Sequence, residues 1–201
     1  MENYSMEYRK ARLEDDISAI AKYIYLTDPY IYPSICKSPQ EKEWVELIRQ
    51  CYQQDDNLFS WHNIYVALMD GEIVGICCII PCGIRLKFNE DLELNECSLH
   101  MTKAVEGYFT PLLEESADLS GYNVVNLCID KNLRRRGVGR ALLQYCLDDC
   151  EHKLVYLDVI ADNFSAISVY KSLEFKIEKK YEGFSGESEP VMCYQMKRLI
   201  C

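Results

Sequence analysis

The chain has 201 residues, of which 49% are hydrophobic and 27% charged, a composition typical of a folded globular protein and not of a disordered one. The sequence has no apolar run of the roughly 18 to 20 residues that a membrane helix requires, and its N-terminal residues do not resemble a signal peptide, so we expect a cytoplasmic protein. The net charge is −10, and residues 1–120 carry all of the excess acid, with 10 basic and 21 acidic side chains. That excess disfavours nucleic-acid binding and indicates either a cationic partner or a solvated acidic surface.

The sequence contains eleven cysteines, an odd number, and no Cys-x-x-Cys pair. A structural zinc site needs two close cysteine pairs, or cysteines combined with closely spaced histidines, and His62, His100 and His152 lie far apart. We therefore expect no metal cofactor, and reduced cysteines that act as small core residues.

The N-terminal part of the chain predicts a strand, two helices and a hairpin. Residues 4–12 alternate as a strand does, and the acidic residues 14–16 then precede apolar residues at helical spacing, up to a break at 28–33. A second helix is predicted from residue 39 to about residue 53. The runs 64–69 and 72–77 flank Asp70-Gly71, a pair that supplies the positive φ angles of a two-residue hairpin turn.

The C-terminal part predicts alternating strands and helices. Strands are expected at 124–129, 154–160, 175–181 and 191–199, and helices at 137–150 and 163–173. Such alternation implies at least one pair of parallel strands. The segment 81–120 matches no motif, although 97–116 has helical features, and we expect one domain over residues 1–201.

The most informative stretch is a loop between the strand at 124–129 and the helix that follows. Its sequence supplies local positive charge and flexible backbone through Arg134, Arg135, Arg136, Gly137, Gly139 and Arg140. Free N–H groups at a helix N-terminus favour a phosphate, and glycine lets the backbone approach it. An exposed basic loop without a ligand is the alternative. The P-loop pattern is absent, and Leu142 stands where the dinucleotide motif needs its third glycine.

The pattern Arg134-x-x-Gly137-x-Gly139 resembles the Arg/Gln-x-x-Gly-x-Gly/Ala signature of the GNAT acyltransferase superfamily. The resemblance implies an α/β (α+β) fold with a mixed, twisted central sheet of about six to seven strands and helices on both faces. It also implies acetyl-CoA as co-substrate. The pantetheine arm would pair with a bulged strand that ends at Leu127, Cys128 and Ile129, and the pyrophosphate would lie on the loop amides of residues 135–140, which include Val138.

A second block supports the same resemblance. Asn163, Ala166 and Tyr170 are similar to the family's Asn-x-x-Ala-x-x-x-Tyr pattern, which a Gly-Phe pair follows. The resemblance implies that Asn163 contacts the cofactor arm and that Tyr170 protonates the departing thiolate. Asn163 is also a common type of helix cap, and the two roles are compatible. Glu174 stands where glycine is usual, so we expect a differently built turn before Phe175.

The base that would accept the amine proton is left open. The strand before the loop contains no glutamate, so the candidates are a water chain, Glu96 or Glu114 from the acidic part, or an amine that arrives already neutral. A route through an acyl-Cys128 intermediate is disfavoured, because direct transfer is usual for the family. Tyr30 and Tyr32 either border the acceptor cleft or pack a helix corner.

The resulting functional hypothesis is an N-acetyltransferase that moves an acetyl group from acetyl-CoA to a primary amine by direct attack. The acidic N-terminal part favours a cationic small-molecule or peptide acceptor. The alternative is a non-catalytic acyl-CoA-binding sensor or regulatory module on the same fold, because a fold does not guarantee activity. The sequence identifies neither the acceptor nor the oligomeric state, and a homodimer stays open.

Overall fold

The computed structural model describes residues 5–27, 42–55, 57–82, 121–150, 153–183 and 190–200. Within these ranges lie four α-helices: α1 Ile17–Thr27, α2 Lys42–Tyr52, α3 Val138–Asp148 and α4 Phe164–Ser172. The strands of the described ranges are β1 Met6–Lys10, β2 Ile64–Met69, β3 Glu72–Pro81, β4 Tyr122–Ile129, β5 Leu154–Ile160, β6 Lys176–Gly183 and β7 Val191–Leu199. They form one seven-stranded sheet in the order β1-β2-β3-β4-β5-β7-β6.

The strands and turns follow the sequence predictions closely. β2 and β3 form the expected hairpin, and Asp70 and Gly71 take φ angles of 52° and 86° in its turn. β4 and β5 are the predicted parallel pair, and all other neighbours are antiparallel. The predicted break at 28–33 and the helical features of 97–116 lie outside the described residues.

The first two helices pack together on one face of the sheet. The Asp16 carboxylate begins α1 by accepting hydrogen bonds from the amides of Ser18 (2.9 Å) and Ala19 (3.3 Å). Trp44 of α2 is fully buried, and its indole N–H donates to the carbonyl of Ala21 on α1 at 2.9 Å. A buried Trp needs such a partner for its one polar atom, so this bond fixes α2 against α1.

Helices cover both faces of the sheet, as predicted. One apolar cluster joins α1 and α2 to the sheet and includes Ile24, Trp44, Ile76 and Cys128. A second cluster on the opposite face joins α3 and α4 to the sheet through Leu142, Leu143, Ile167, Tyr170 and neighbouring strand residues. The eight cysteines of the described ranges are buried free thiols, which confirms the core role expected for them. Among the described helices, we find none with the length and apolar character to cross a bilayer.

The sheet opens between its two middle strands. β4 pairs with β3 from Tyr122 to Ile129, but it pairs with β5 only from Tyr122 to Val124. β5 continues on its other side, where it pairs with β7 as far as Ile160. Past Val124 the two strands therefore separate, and no described strand occupies the β5 side of β4 over residues 125–129. We call this opening the β4–β5 gap.

A β-bulge lies at the point where the gap begins. Cys78 of β3 faces Asn126, whereas the next residue, Ile79, faces Val124, so Val125 is the extra residue on β4. Val124 belongs to the cluster under α3 and α4, while Val125 packs against the opposite cluster. The bulge thus shifts the alternation of side chains between the two faces of the sheet along β4. It confirms the bulged strand that the sequence resemblance implied.

Candidate active site

The loop after β4 ends in a helix start without a side-chain cap. Arg135 and Gly137 both have left-handed backbone, with φ angles of 61° and 82°, and Gly137 is the N-cap of α3. The first intrahelical bond runs from the amide of Ala141 to the carbonyl of Gly137. The amides of residues 138–140 accordingly have no carbonyl partner within the helix, and a glycine cap offers them no side-chain oxygen. With the helix dipole, they form an anion-binding position.

The two glycines of the loop are needed for different reasons. Gly137 requires its positive φ, and a Cβ there would meet nothing within 4 Å. At Gly139 a Cβ would lie 3.3 Å from Cγ1 of Ile129, which is closer than ordinary van der Waals contact. Gly139 thus lets the start of α3 rest on the end of β4. The expectation that both glycines also let the backbone approach a ligand stays a prediction.

The arginines of the loop surround this helix start without neutralising partners. Arg134 makes a long contact of 3.5 Å from Nε to the carbonyl of Ile129, and Arg140 donates from Nε to Ser172 Oγ on α4 at 3.2 Å. Arg135 and Arg136 are exposed. Within the described residues, none of the four forms an ion pair with a carboxylate. Their positive charge is therefore available to an anionic ligand.

Cys128 lies on β4 beside the gap, and its environment keeps the thiol protonated. Burial raises the pKa of Cys128 to about 11, although the positive charges of Arg134 and Lys22 act in the opposite direction. A thiol attacks a thioester as its thiolate, which is scarce at neutral pH for such a pKa. The raised pKa of Cys128 makes this thiol a poor acyl carrier at neutral pH.

Tyr170, the residue that the sequence resemblance implies as proton donor, lies on α4 in the apolar cluster beneath that helix. It belongs to the same apolar cluster as Ile129 and Val159, whose strands border the gap, and its ring makes an edge contact with Phe175 at 6.1 Å between centroids. Burial raises the pKa of Tyr170 above its ordinary value, so the hydroxyl is protonated at neutral pH. Among the described residues we find no hydrogen-bond partner for this hydroxyl, which leaves its proton available.

Asn163 begins the helix that carries Tyr170. Its Oδ1 accepts a hydrogen bond from the amide of Ala166 at 3.1 Å, so the predicted cap is confirmed. Its Nδ2 makes no hydrogen bond to a described residue. At the other end of this helix, Glu174 has a φ of 64°, the left-handed backbone of a glycine turn. The different turn that we expected there is not observed, because the amides of Leu173 and Phe175 both bond to the carbonyl of Tyr170 and close the helix in the usual way.

Asp158 is a candidate that the sequence reasoning missed. It follows Leu157, the last β5 residue paired with β4, and lies on the face opposite Leu157 and Val159. Its Oδ1 accepts a hydrogen bond from the hydroxyl of Tyr181 on β6 at 2.7 Å. The sequence did contain a signal for Asp158, because an acidic residue in the middle of an apolar strand is unusual unless it has a hydrogen-bonding partner or a functional role. The earlier base candidates Glu96 and Glu114, and the tyrosines Tyr30 and Tyr32, lie outside the described residues.

Comparison with known proteins identifies the family of this chain. Residues 25–175 match the family described as "Acetyltransferase (GNAT) family". The match spans more than half of the chain, and the chain therefore belongs to the GNAT acetyltransferase family. Its first strand precedes the matched region, whereas β4, the arginine-rich loop, β5 and α4 all lie within it.

Individual relatives align over shorter regions. The chain is 33% identical over 102 residues to the L-amino acid N-acetyltransferase AaaT of Escherichia coli (strain K12). The aligned region covers 47% of this chain and 62% of that protein. It is 34% identical over 80 residues to the N-alpha-acetyltransferase RimI of Mycobacterium tuberculosis (strain ATCC 25618 / H37Rv), covering 38% and 48%. The chain thus spans about half the length of the curated relatives it matches. An N-acetyltransferase structure from Staphylococcus aureus Mu50 shares the fold, with a TM-score of 0.73, 18% identity and coverage of 96% and 100%.

Proposed function

We propose that this protein is an acetyl-CoA-dependent N-acetyltransferase that transfers the acetyl group to a primary amine by direct attack. The observation that carries the proposal is the continuity between the open edge of β4 and the uncapped start of α3. An extended thioester arm needs backbone partners along its length, and a pyrophosphate needs amide N–H groups and positive charge. The two requirements are met at adjacent positions of one chain segment, because Gly139 lies against Ile129.

The residues that would bind acetyl-CoA divide into three groups. The backbone of residues 127–129 would pair with the pantetheine arm, as an added strand pairs with a sheet edge. The amides of residues 135–140 and the nearby guanidinium groups, including that of Arg134, would hold the pyrophosphate. The Nδ2 of Asn163, which the helix cap does not use, would donate to the amide groups of the arm.

The transfer itself needs one nucleophile and one proton donor. The amine nitrogen forms a bond to the thioester carbon, and the bond from that carbon to sulfur breaks. Strand amides beside the bulge stabilise the negative charge that develops on the carbonyl oxygen. The Tyr170 hydroxyl gives its proton to the departing sulfur. Burial raises the pKa of Tyr170, and burial of the departing sulfur beside it would raise the pKa of that thiol as well, so donor and acceptor would stay comparable in basicity.

We assign the removal of the amine proton to Asp158. It borders the gap on β5, and its hydrogen bond to Tyr181 provides a route through which a proton could reach the carboxylate. The oxygen of the Tyr181 hydroxyl can accept a proton from the amine or from a water while its own proton passes to Asp158. This arrangement supplies a base without a glutamate on β4.

The acceptor class follows from two lines of support. The names of the relatives specify L-amino acids and N-alpha amines, so an α-amine of an amino acid or a peptide is the first choice. The acidic part of the chain, with 10 basic and 21 acidic residues before position 121, favours an acceptor with additional positive charge. A single domain over residues 1–201 and a cytoplasmic location, where acetyl-CoA is present, belong to the same proposal.

A two-stage experiment tests the function. Calorimetry first measures acetyl-CoA binding, and mass spectrometry then follows acetylation of a panel that contains L-amino acids, L-alaninamide, short peptides with free N-termini, spermidine and kanamycin. We expect binding and turnover of at least one amine. Binding without turnover of any amine would indicate the acyl-CoA-binding module instead, and absence of binding would refute both functions.

A further inference from the structure

One side-chain oxygen on β4 is buried and unpaired among the residues that the structure describes. Asn126 is 2% exposed, and its Oδ1 is fully buried with no hydrogen-bond partner in the described part of the chain. A buried acceptor that is left unsatisfied destabilises the native state, so such atoms are uncommon in native proteins and call for an explanation.

The hydrogen bonds around Asn126 fix which end of the carboxamide is unpaired. Its Nδ2 donates to Oγ1 of Thr27, the last residue of α1, at 2.5 Å. Thr27 uses its only hydroxyl proton to donate to the carbonyl of Ile24 at 2.6 Å. Because Thr27 can only accept from Asn126, the NH₂ group must face Thr27 and the oxygen must face away from it. A flipped carboxamide would place two acceptors against each other.

Asn126 lies on β4 beside the start of the β4–β5 gap. Asn126 is two residues past the last β4 residue that pairs with β5, and the bulge at Val125 places it on the α1 face, the face to which Asp158 projects from β5. The two side chains thus flank the start of the gap from opposite strands. A ligand at this point would meet a hydrogen-bond acceptor on one side and a carboxylate on the other, an environment suited to an N–H donor.

We propose that Asn126 Oδ1 accepts a hydrogen bond from the acceptor amine and holds its nitrogen beside the thioester, with Thr27 orienting the carboxamide. This inference rests on the proposed function and identifies the group that recognises its second substrate. A carboxamide cannot serve as a base at neutral pH, so Asn126 positions the amine while its proton leaves for Asp158. This hydrogen bond distinguishes amines from alcohols only weakly, since both groups can donate to Oδ1. The greater nucleophilicity of the amine nitrogen then favours amines over alcohols.

The test compares three variants in steady-state kinetics with the panel amine that the wild-type enzyme acetylates fastest. Asn126→Leu removes the acceptor oxygen at similar volume, and Asn126→Asp keeps an oxygen in its place. Thr27→Val removes the orienting hydroxyl and leaves Oδ1 present, so it tests the orienting role of Thr27 separately from the role of the oxygen. We expect Asn126→Leu to raise the KM of the amine about 10- to 100-fold, the usual effect of losing a hydrogen bond from a charged donor, with the KM of acetyl-CoA within twofold.

The other two variants separate the oxygen from its orientation. Thr27→Val should raise the KM of the amine less than Asn126→Leu does and leave the KM of acetyl-CoA within about twofold, because Oδ1 stays present while its orientation is no longer fixed. Asn126→Asp should lower the KM of the amine about threefold or more, because a carboxylate binds an ammonium group more strongly. Equal increases in both KM values for Asn126→Leu, or a change in melting temperature alone, would overturn the inference. If Asn126→Leu does not fold, an unchanged amine KM in Asn126→Asp overturns it equally. A wild-type protein that acetylates no amine would instead refute the proposed function, and this inference with it.

Discussion

Substitution of Gly139 by aspartate is the most direct test of the anion site at the start of α3. Gly139 is the second residue of the helix, and a Cβ at this position would point toward Cγ1 of Ile129 at 3.3 Å. Aspartate there adds a negative charge next to the amides that would bind the pyrophosphate. A carboxylate in the first turn of a helix stabilises that helix, so the fold itself should tolerate the change.

The expected magnitude follows from Coulomb's law. Two unit charges about 5 Å apart repel each other by roughly 1 to 3 kcal/mol at effective dielectric constants between roughly 80 and 20. The pyrophosphate carries about two negative charges, so the total is roughly 2 to 6 kcal/mol. This corresponds to a loss of acetyl-CoA affinity of roughly 30-fold to 10⁴-fold, at the rate of about 1.4 kcal/mol per factor of ten.

Calorimetric titration of acetyl-CoA into the folded Gly139→Asp protein measures this loss. Gly139→Ala is the matched control, because it adds the same Cβ against Ile129 without the charge, and a helix gains about 1 kcal/mol when Gly is replaced by Ala. We expect the alanine variant to bind acetyl-CoA within about threefold of wild type. Equal affinities in the aspartate and wild-type proteins would show that the pyrophosphate does not lie at this helix start.

Three further predictions concern catalysis, stability and the acceptor. Tyr170→Phe should keep acetyl-CoA affinity and lower turnover about 10²-fold where chemistry limits the rate, and unchanged turnover would exclude Tyr170 as the acid. Asp15→Asn should lower the free energy of unfolding at pH 7 by about 1 to 2 kcal/mol, because Asp15 accepts two hydrogen bonds from Arg9 (2.8 and 2.7 Å) and one from the Arg12 amide (2.7 Å). Burial of Asp15 favours its neutral form, but the hydrogen bonds and the positive charges of Arg9 and Arg12 outweigh burial and lower the pKa of Asp15. The stabilisation is therefore complete above the unfolded-state pKa of about 3.9, and it is lost as the pH falls through the lower pKa of the folded state. Urea unfolding at pH 7 and at pH 2.5 checks this, with the exposed Glu14→Gln as control, and a difference of equal size at both pH values would contradict it. For the acceptor, kcat/KM should fall between 0.1 M and 1 M salt, as the screening length shortens from about 10 Å to about 3 Å, and a salt-independent value would argue against an electrostatically attracted cation.

The strands and helices near the candidate site were predictable because local sequence pattern determines them. β5 begins and ends at the residues predicted from its apolar run, and α4 begins one residue after its N-cap, Asn163. The cap at Asn163 is a local interaction between residues three apart, so the sequence contains all of its determinants. The loop at Arg134 was predictable for a different reason, since its spacing resembles a known family.

The features that the sequence did not reveal depend on contacts between distant segments. The resemblance implied a bulged strand, but the position of the bulge at Val125 is invisible in an apolar run, because it depends on pairing with β3. Asn126 becomes an unpaired buried group only through Thr27, which is 99 residues away in the chain. Asp158 has a partner in Tyr181 on β6, and the two are neighbours only because β7 lies between their strands. Glu174 adopts a glycine conformation because hydrogen bonds at the end of α4 impose it.

The opening between β4 and β5 also affects how the protein unfolds. β1 to β4 form one antiparallel unit and β5 to β7 form another, and backbone pairing joins the two units only at Tyr122–Val155, Asn123–Tyr156 and Val124–Leu157. A thioester substrate that lies in the opening would bridge the two units along their weakest backbone junction. At a substrate concentration one hundred times its dissociation constant, binding would add about 2.7 kcal/mol to the free energy of unfolding. The substrate would then act as a structural member of the sheet, and amides on both sides of the junction would exchange their hydrogens more slowly while it is bound.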